Sequence, residues 1–356
     1  MSVQVSYKKQ FLFFFISLLI LLLVIEGVVR IYEIQELPCQ MVGKDAFNEI
    51  DKSIQEQICK DSRNIIYIEP DILRYAPNLH TDTLNINSFG FRGPEITQEK
   101  PNDVFRVFIV GGSTTFGSGS ISDHHTIPGY LQEIFNQNGQ NVEIINAGIA
   151  SGYSYTEKYL IENDLIPFDP DLILLYTGGN DSHRPIIYPT VKIGDAGINI
   201  KDIRFWRTPF VISDLFIETT RYEKANVELD EEFIEKKISF WTDNMRDICE
   251  INSTRDIRTI ITLHPILVTS QKNFSNDEKE YVEKKDFQST PTVLKIYDGI
   301  GNNLKELGNS CDSTVDLRFI FKNMSEPIFF DESHINGRGN EIVAKQLFKI
   351  ISPFVN

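Results

Sequence analysis

The sequence predicts an α/β protein, a parallel sheet of about five strands with helices on both faces. Three observations carry that expectation. Short apolar runs recur at residues 105–110, 142–146, 171–176 and 257–263, with a shorter one at 314–317. Segments with helical spacing of apolar residues lie between them, at 127–138, 155–166, 231–251 and 292–307, and another closes the chain at 341–351. The first three apolar runs end in glycine-bearing turns. Alternating strands and helices build a parallel sheet covered on both faces, and its active site lies outside the carboxyl ends of the strands.

The chain opens differently. Residues 11–29 (FLFFFISLLILLLVIEGVV) are interrupted by only Ser17 and Glu26 and approach the ~20 residues that cross a bilayer. Lys8 and Lys9 precede the run and stay cytoplasmic under the positive-inside rule. No small-residue cleavage site follows, which favours an uncleaved signal anchor over a removed signal peptide. A buried core helix is disfavoured, because the segment is apolar on all faces and sits at the very terminus. The expectation is a single-pass membrane protein with a short cytoplasmic N-terminus (1–10), a transmembrane segment (11–29) and everything from residue 30 outside.

Residues 30–103 read as an irregular prelude packing on the domain that follows, and they contain Asn87-Ser88-Phe89-Gly90-Phe91-Arg92-Gly93 near their end. Residues 104–356 read as the main domain. Within it, 182–230 has no place in the alternation and reads as an insert at the sheet edge, either a lid or a surface excursion.

Cys39, Cys59, Cys249 and Cys311 form no Cys-x-x-Cys pair, which argues against a structural zinc site. Local pairing, Cys39 with Cys59 and Cys249 with Cys311, suits an oxidising compartment; four buried thiols are the alternative. Asn252, Asn273 and Asn323 each open a glycosylation sequon. A net charge of −15 argues against a nucleic-acid partner, whose phosphates need a basic face, and the sequence shows no basic stripe.

Four short blocks carry the chemistry. The first, Gly111-Gly112-Ser113-Thr114, places a serine in a glycine turn after a strand. Gly112 and Gly117 have the spacing of a phosphate-binding loop, but Ser118 stands where its lysine is needed. Thr115 likewise excludes a Gly-x-Ser-x-Gly elbow. The second block runs from Asn146-Ala147-Gly148 to Gly152, and the third is Gly178-Gly179-Asn180-Asp181. The Asn180 amide can donate to an oxyanion without titrating, although an Asn-Asp turn after a strand is common in its own right. The fourth, Asp331-Glu332-Ser333-His334, offers an Asp to hold one imidazole nitrogen while the other faces a serine; a capping Asp beside a surface His is the plain alternative. Together the blocks supply a nucleophile, oxyanion donors and a base, in one order.

This constellation resembles the SGNH hydrolases, the GDSL family of serine esterases and lipases, over about residues 104–351. The resemblance implies a three-layer α/β/α sandwich of flavodoxin-like type. It implies Ser113 as nucleophile, His334 as general base and Asp331 as its orienting partner. The Ser113 N–H, a second-block glycine N–H and the Asn180 side chain would form the oxyanion hole. Gly148 and Gly152 both remain open for that glycine, with Gly152 preferred. The first block departs from the family by reading Gly-Gly-Ser in place of Gly-Asp-Ser, which spares the nucleophile. The prelude and the residues from Glu26 to Arg30 are similar to those of membrane-anchored members.

His183 and Arg184 follow the third block and His264 follows the fourth strand, so each is a candidate substrate contact; a packed core histidine is the plain reading of His264. The function expected is cleavage of an O-acyl ester, on an envelope glycan or a lipid, through an acyl-serine and without metal or organic cofactor. An O-acyltransferase would use the same residues to pass acetyl to a glycan hydroxyl, drawing on a membrane acyl-donor partner. An inactive binding protein of the same fold is the third reading, against which the intact Ser113, Asp331 and His334 count.

Overall fold

The computed structural model describes residues 6–36, 41–63, 65, 67–68, 74–183, 208, 231–283 and 291–355. Helix α1 (Tyr7–Glu36) contains the apolar stretch Tyr7–Ile31, of mean hydropathy 2.9, and among the described residues it is the one helix long and apolar enough to cross a membrane. Glu26, the acid inside that stretch, accepts hydrogen bonds from the Thr208 N–H and hydroxyl (3.0 and 2.8 Å) and from Arg30 (2.8 Å). The chain divides into two compact units, one of Met1–Pro38 and Thr190–Val227, the other of Cys39–Pro189 and Glu228–Asn356. Apart from residues 182, 183 and 208, the expected insert at 182–230 lies outside the described residues.

The prelude is more regular than the sequence suggests. It holds helix α2 (Lys52–Arg63) and two antiparallel pairs, β1 (Tyr67–Ile68) with β2 (Arg74–Tyr75) and β3 (Leu79–His80) with β4 (Asn85–Ile86). Helix α2 escapes an apolar-period search because two of its three buried side chains, Gln55 and Asp61, are polar and only Ile58 is apolar. Gln55 donates to the Phe47 and Ile50 carbonyls (3.1 and 2.7 Å), and Asp61 accepts from the Thr83 N–H and hydroxyl (3.0 and 2.8 Å).

The regular part follows in alternation. Strand β5 (Phe105–Gly111) leads into the one-turn α3 (Ser113–Phe116) and α4 (Ile127–Gln137). Next come β6 (Val142–Gly148), α5 (Ser154–Leu160), β7 (Leu172–Thr177) and the short α6 (Gly179–His183). After α7 (Glu231–Ser253) come β8 (Arg258–Leu263), α8 (Asn276–Glu283), α9 (Pro291–Asn303), β9 (Ser313–Asp316) and α10 (Gly337–Ile351). The strands lie in the order β6-β5-β7-β8-β9, every neighbouring pair parallel.

Side chains alternate across that sheet with the two-residue period of a strand. Phe108, Val110, Ile173, Leu175, Ile261 and Leu263 point to one core with α5, α7 and α9. Val107, Ile109, Leu172, Leu174, Tyr176 and Ile260 point to the other, with α4 and α10. Three layers result, as the sequence predicts. The closing helix begins earlier than expected, at Gly337, because Asn336 caps it by accepting the Gly339 N–H (2.9 Å).

Cys249 and Cys311 form a disulfide between α7 and the turn before β9. Cys39, the expected partner of Cys59, lies outside the described residues. Asn252 is fully buried with its amide on Thr259 (3.0 Å), so of the three sequons this one offers no acceptor to a glycan. The Cys249–Cys311 bridge spans 62 residues of chain, and closing such a loop in the unfolded state is worth about 4 kcal/mol. Replacing both cysteines by alanine should therefore lower the unfolding free energy of the full chain by that order, read as the denaturant midpoint against unreduced wild type.

Candidate active site

Strand β5 ends at Gly111, and the chain turns at once into α3 with Ser113 as its first residue. A helix start leaves main-chain N–H groups without helical acceptors, so the Ser113 N–H sits beside its own hydroxyl at an open helix end. A side chain at Gly112 would put its Cβ 2.6 Å from the Asn180 amide nitrogen, so only glycine lets the first and third blocks meet. Gly148 is under the same constraint, since a Cβ there would lie 2.2 Å from the Phe116 nitrogen.

His334 reaches Ser113 from the loop ahead of α10. Its Nε2 lies 2.6 Å from the Ser113 hydroxyl and its Nδ1 2.6 Å from an Asp331 carboxylate oxygen. A carboxylate accepts only, so Nδ1 carries the proton and Nε2 is left to accept from the serine. The other Asp331 oxygen receives the Ser333 and His334 N–H groups (2.9 and 2.7 Å). Burial alone would lower the His334 pKa, but the Asp331 charge and hydrogen bond, with the charge of Glu332, outweigh it and hold the imidazole above its ordinary value. For Asp331 burial pulls upward, and the His334 charge and the donated hydrogen bonds bring the carboxyl below its usual range.

Two contacts hold this loop from behind. Phe330 stacks on the His334 ring (centroids 5.6 Å apart, planes at 17°) and packs in turn on Phe47 of the prelude. The fully buried Glu278 of α8, paired with Lys272, accepts the Ile328 and Phe329 N–H groups at 3.0 Å each.

Asn180 lies in α6 beside Gly112. One proton of its amide goes to the Gly152 carbonyl (2.6 Å). The Gly152 N–H, expected to face an oxyanion, closes a turn onto the Ile149 carbonyl (2.8 Å), because the chain folds back on itself there. Gly148 gives its N–H to the Asn146 side chain (3.1 Å). Gly152 therefore meets the site through its carbonyl, which orients the Asn180 amide. Asn146 is a brace, since its amide also donates to the Phe116 carbonyl of α3 (3.2 Å).

His264 is engaged by the main chain on both ring nitrogens. It is buried, accepts the Gly179 N–H at Nε2 (3.1 Å) and donates from Nδ1 to the Pro265 carbonyl (3.1 Å). Burial, against the Pro265 hydrogen bond, lowers its pKa to about 4, so the ring stays neutral and pins the turn that carries Asn180. His183 ends α6, and its side chain, like the whole of Arg184, lies outside the described residues. A cavity of about 370 Å³ under the prelude, lined by Arg74, Phe89, Gly148 and Phe168 among others, includes none of Ser113, Asn180, Asp331 or His334.

Directly under Asn180 lies a buried charge cluster that the sequence did not reveal. Asp181 accepts both the N–H and the hydroxyl of Ser154 at the start of α5. Glu157 accepts from the Thr177 hydroxyl at the end of β7 (2.6 and 2.9 Å), and Lys237 of α7 faces Asp181. Burial raises the Asp181 pKa to about 6 against the pull of Ser154 and Lys237. Burial and then the Asp181 charge raise Glu157 well above its ordinary value, while burial brings Lys237 down to about 8. The only hint in the sequence was the acid in Gly-Gly-Asn-Asp.

No family model and no curated protein matches the chain. Among solved structures it is similar to an acetyl xylan esterase (15% identity, 69% of this chain and 99% of that one, TM-score 0.43). It is also similar to a GDSL-like lipase from Bacteroides thetaiotaomicron (14%, 72% and 92%, TM-score 0.40) and to the lipase/acylhydrolase from Enterococcus faecalis (12%, 70% and 97%, TM-score 0.43).

The buried carboxyls make a stability prediction. Their folded pKa values lie above the unfolded ones, so the folded state holds the extra protons and stability falls as pH rises above ~4, for Asp181 through about 6. Glu157→Gln removes one of the two acids. Its melting temperature should match or exceed wild type at pH 7, and the difference should close toward pH 4.

Proposed function

We propose that this chain is a membrane-anchored serine esterase of the SGNH type that cleaves an O-acyl ester through an acyl-serine. One observation carries the reading: Ser113, His334 and Asp331 stand in a continuous hydrogen-bonded chain, beside the Asn180 amide, at the carboxyl edge of the sheet.

The chemistry follows from that geometry. His334 Nε2 takes the Ser113 proton as the hydroxyl oxygen attacks the ester carbonyl, and Asp331 stabilises the imidazolium that forms. The Asn180 amide has two protons. Gly152 holds one and thereby aims the other at the oxyanion, next to the Ser113 N–H at the open end of α3. His334 then returns its proton to the leaving alcohol. Water, activated by the same imidazole, releases the acid and restores the serine. The Gly152 N–H joins as a donor only on leaving the Ile149 carbonyl.

Helix α1 supports the anchor. Its apolar stretch of 25 residues reaches ~37 Å at 1.5 Å per residue, enough for the ~30 Å hydrocarbon core. Lys8 and Lys9 support a cytoplasmic start under the positive-inside rule, and with it a catalytic domain outside, among envelope glycans and lipids.

Full-length protein in detergent, given a fluorophosphonate and p-nitrophenyl acetate, tests the reading. Wild type should label at Ser113 and turn over. Ser113→Ala should lose labelling and lower kcat by about 10⁴-fold or more, and Asn180→Ala should lower kcat by about 10²–10³-fold. Folded wild type that neither labels nor turns over sinks the proposal. Acylation of Ser113 without turnover would assign the acyl group to an acceptor other than water.

The pH profile gives a second test. His334 must be neutral to accept a proton and its pKa is raised, so kcat/KM should climb with pH through a midpoint above the ordinary ~6.5. Asp331→Asn removes the charge that raises it, so kcat should fall and the midpoint should move to lower pH.

A further inference from the structure

Ser113 opens a helix of a single turn, and one turn does not hold itself. Its last carbonyls need partners from elsewhere. They find them in Arg92, a residue of the prelude. The Arg92 side chain is buried, with Nη1 donating to the carbonyls of Phe116 (3.1 Å) and Gly117 (2.8 Å) at the end of α3. Its Nη2 donates to the Thr83 carbonyl (3.1 Å) and its Nε to Asp123 (2.8 Å), and the guanidinium lies over the Phe116 ring. Asp123 also receives the Asn85 amide (2.7 Å), so it ties the same hairpin down from the other side.

The backbone of Arg92 is anchored as well. It bridges Ile86 of β4 and Asn146 of β6, at the edge of the sheet. The guanidinium is thus referenced to the sheet, and α3 is referenced to the guanidinium. A cation at the carboxyl end of a helix also meets the negative end of its dipole. Lysine could keep the charge opposite Asp123 but offers no planar fork for several acceptors at once.

We propose that Arg92 is a positioning residue for the Ser113 nucleophile: it locks the far end of α3 so that the hydroxyl at the near end stays on His334. This rests on the reading of Ser113 as nucleophile. The Ser113–His334 contact is 2.6 Å, and a misplacement of about 1 Å costs on the order of 10²-fold in rate.

Arg106 supplies the control. It is equally buried, donates to Glu143 (2.6 Å) and to the carbonyls of Thr97, Gln98 and Phe168 (2.9, 3.0 and 2.7 Å), and so ties the prelude to the sheet in the same chemical way. It sits near the start of β5, roughly 16 Å of strand from the Gly111 end. Any loss of stability from a buried Arg→Lys change should be shared by the two sites, whereas loss of serine placement should not.

The test compares full-length wild type, Arg92→Lys, Arg92→Ala and Arg106→Lys in detergent. It reads fluorophosphonate labelling of Ser113, kcat and KM on p-nitrophenyl acetate, and hydrogen exchange of residues 113–118 against strand β8. Arg92→Lys should label about 10–100-fold more slowly than Arg106→Lys, with kcat reduced and KM unchanged. Exchange should quicken at 113–118 and stay unchanged in β8. Arg92→Ala should show both effects more strongly, and Arg92→Lys decides the matter if the alanine variant does not fold. Equal labelling and equal exchange in the two lysine variants overturn the proposal. A wild type that does not label sinks the esterase reading, and exchange then decides alone: unchanged protection at 113–118 overturns the clamp, and selective loss sustains it.

Discussion

Every group at the site hangs from one constraint, the parallel register of strands buried on both faces. In that register Gly111 of β5 stands opposite Gly148 of β6 on one side and Tyr176 of β7 on the other. The turns that follow those strands therefore leave the sheet side by side. Burying one Val, Leu or Ile contributes ~1.5–3 kcal/mol, whereas a hydrogen bond contributes about 0.5–1.5 kcal/mol net. The two apolar cores set the scaffold, and the polar contacts of the site are positioned by it.

Below that edge the protein keeps ionisable groups out of water, and each has polar partners where it touches a loop of the site. Glu278 with Lys272 holds the strand of chain before Asp331. Asp181, with Ser154 and Lys237 around it, joins the helix that carries Asn180 to the start of α5. Arg92 with Asp123 closes the turn that carries Ser113. Buried pairs are weak sources of stability because desolvation offsets their attraction. Fully satisfied, they nonetheless hold their neighbours in a single arrangement, the one in which Ser113 meets the His334 imidazole at 2.6 Å.

The prelude takes part in the site from both ends. Phe47 packs on Phe330, which lies flat on His334, while Arg92 reaches the back of the serine turn. His334 and Ser113 are thus each steadied by residues that precede the sheet in sequence. Such contacts have no local signature, since Phe47 lies far along the chain from Phe330 and meets it only after folding.

Strands β5, β7 and β8 were legible because both of their faces are buried, so composition alone sets them apart. The four blocks were legible because reactive residue types sit directly after those strands. Helix α2 was not, since its buried face is made of Gln55 and Asp61, whose acceptors and donors come from distant carbonyls and from Thr83. The start of α10 was missed because Gly337 and Gly339 read as breakers until Asn336 is seen to cap them. By itself, then, the sequence determined the alternation and the apolar N-terminal segment and singled out Ser113, Asn180, Asp331 and His334 as candidates, because periodicity and residue chemistry are local properties. Tertiary structure alone decided that Gly152 offers Asn180 its carbonyl, that His264 is pinned under Gly179, and that Arg92 reaches Ser113's helix. Those depend on backbone direction and on contacts between segments remote in sequence, which no local pattern encodes.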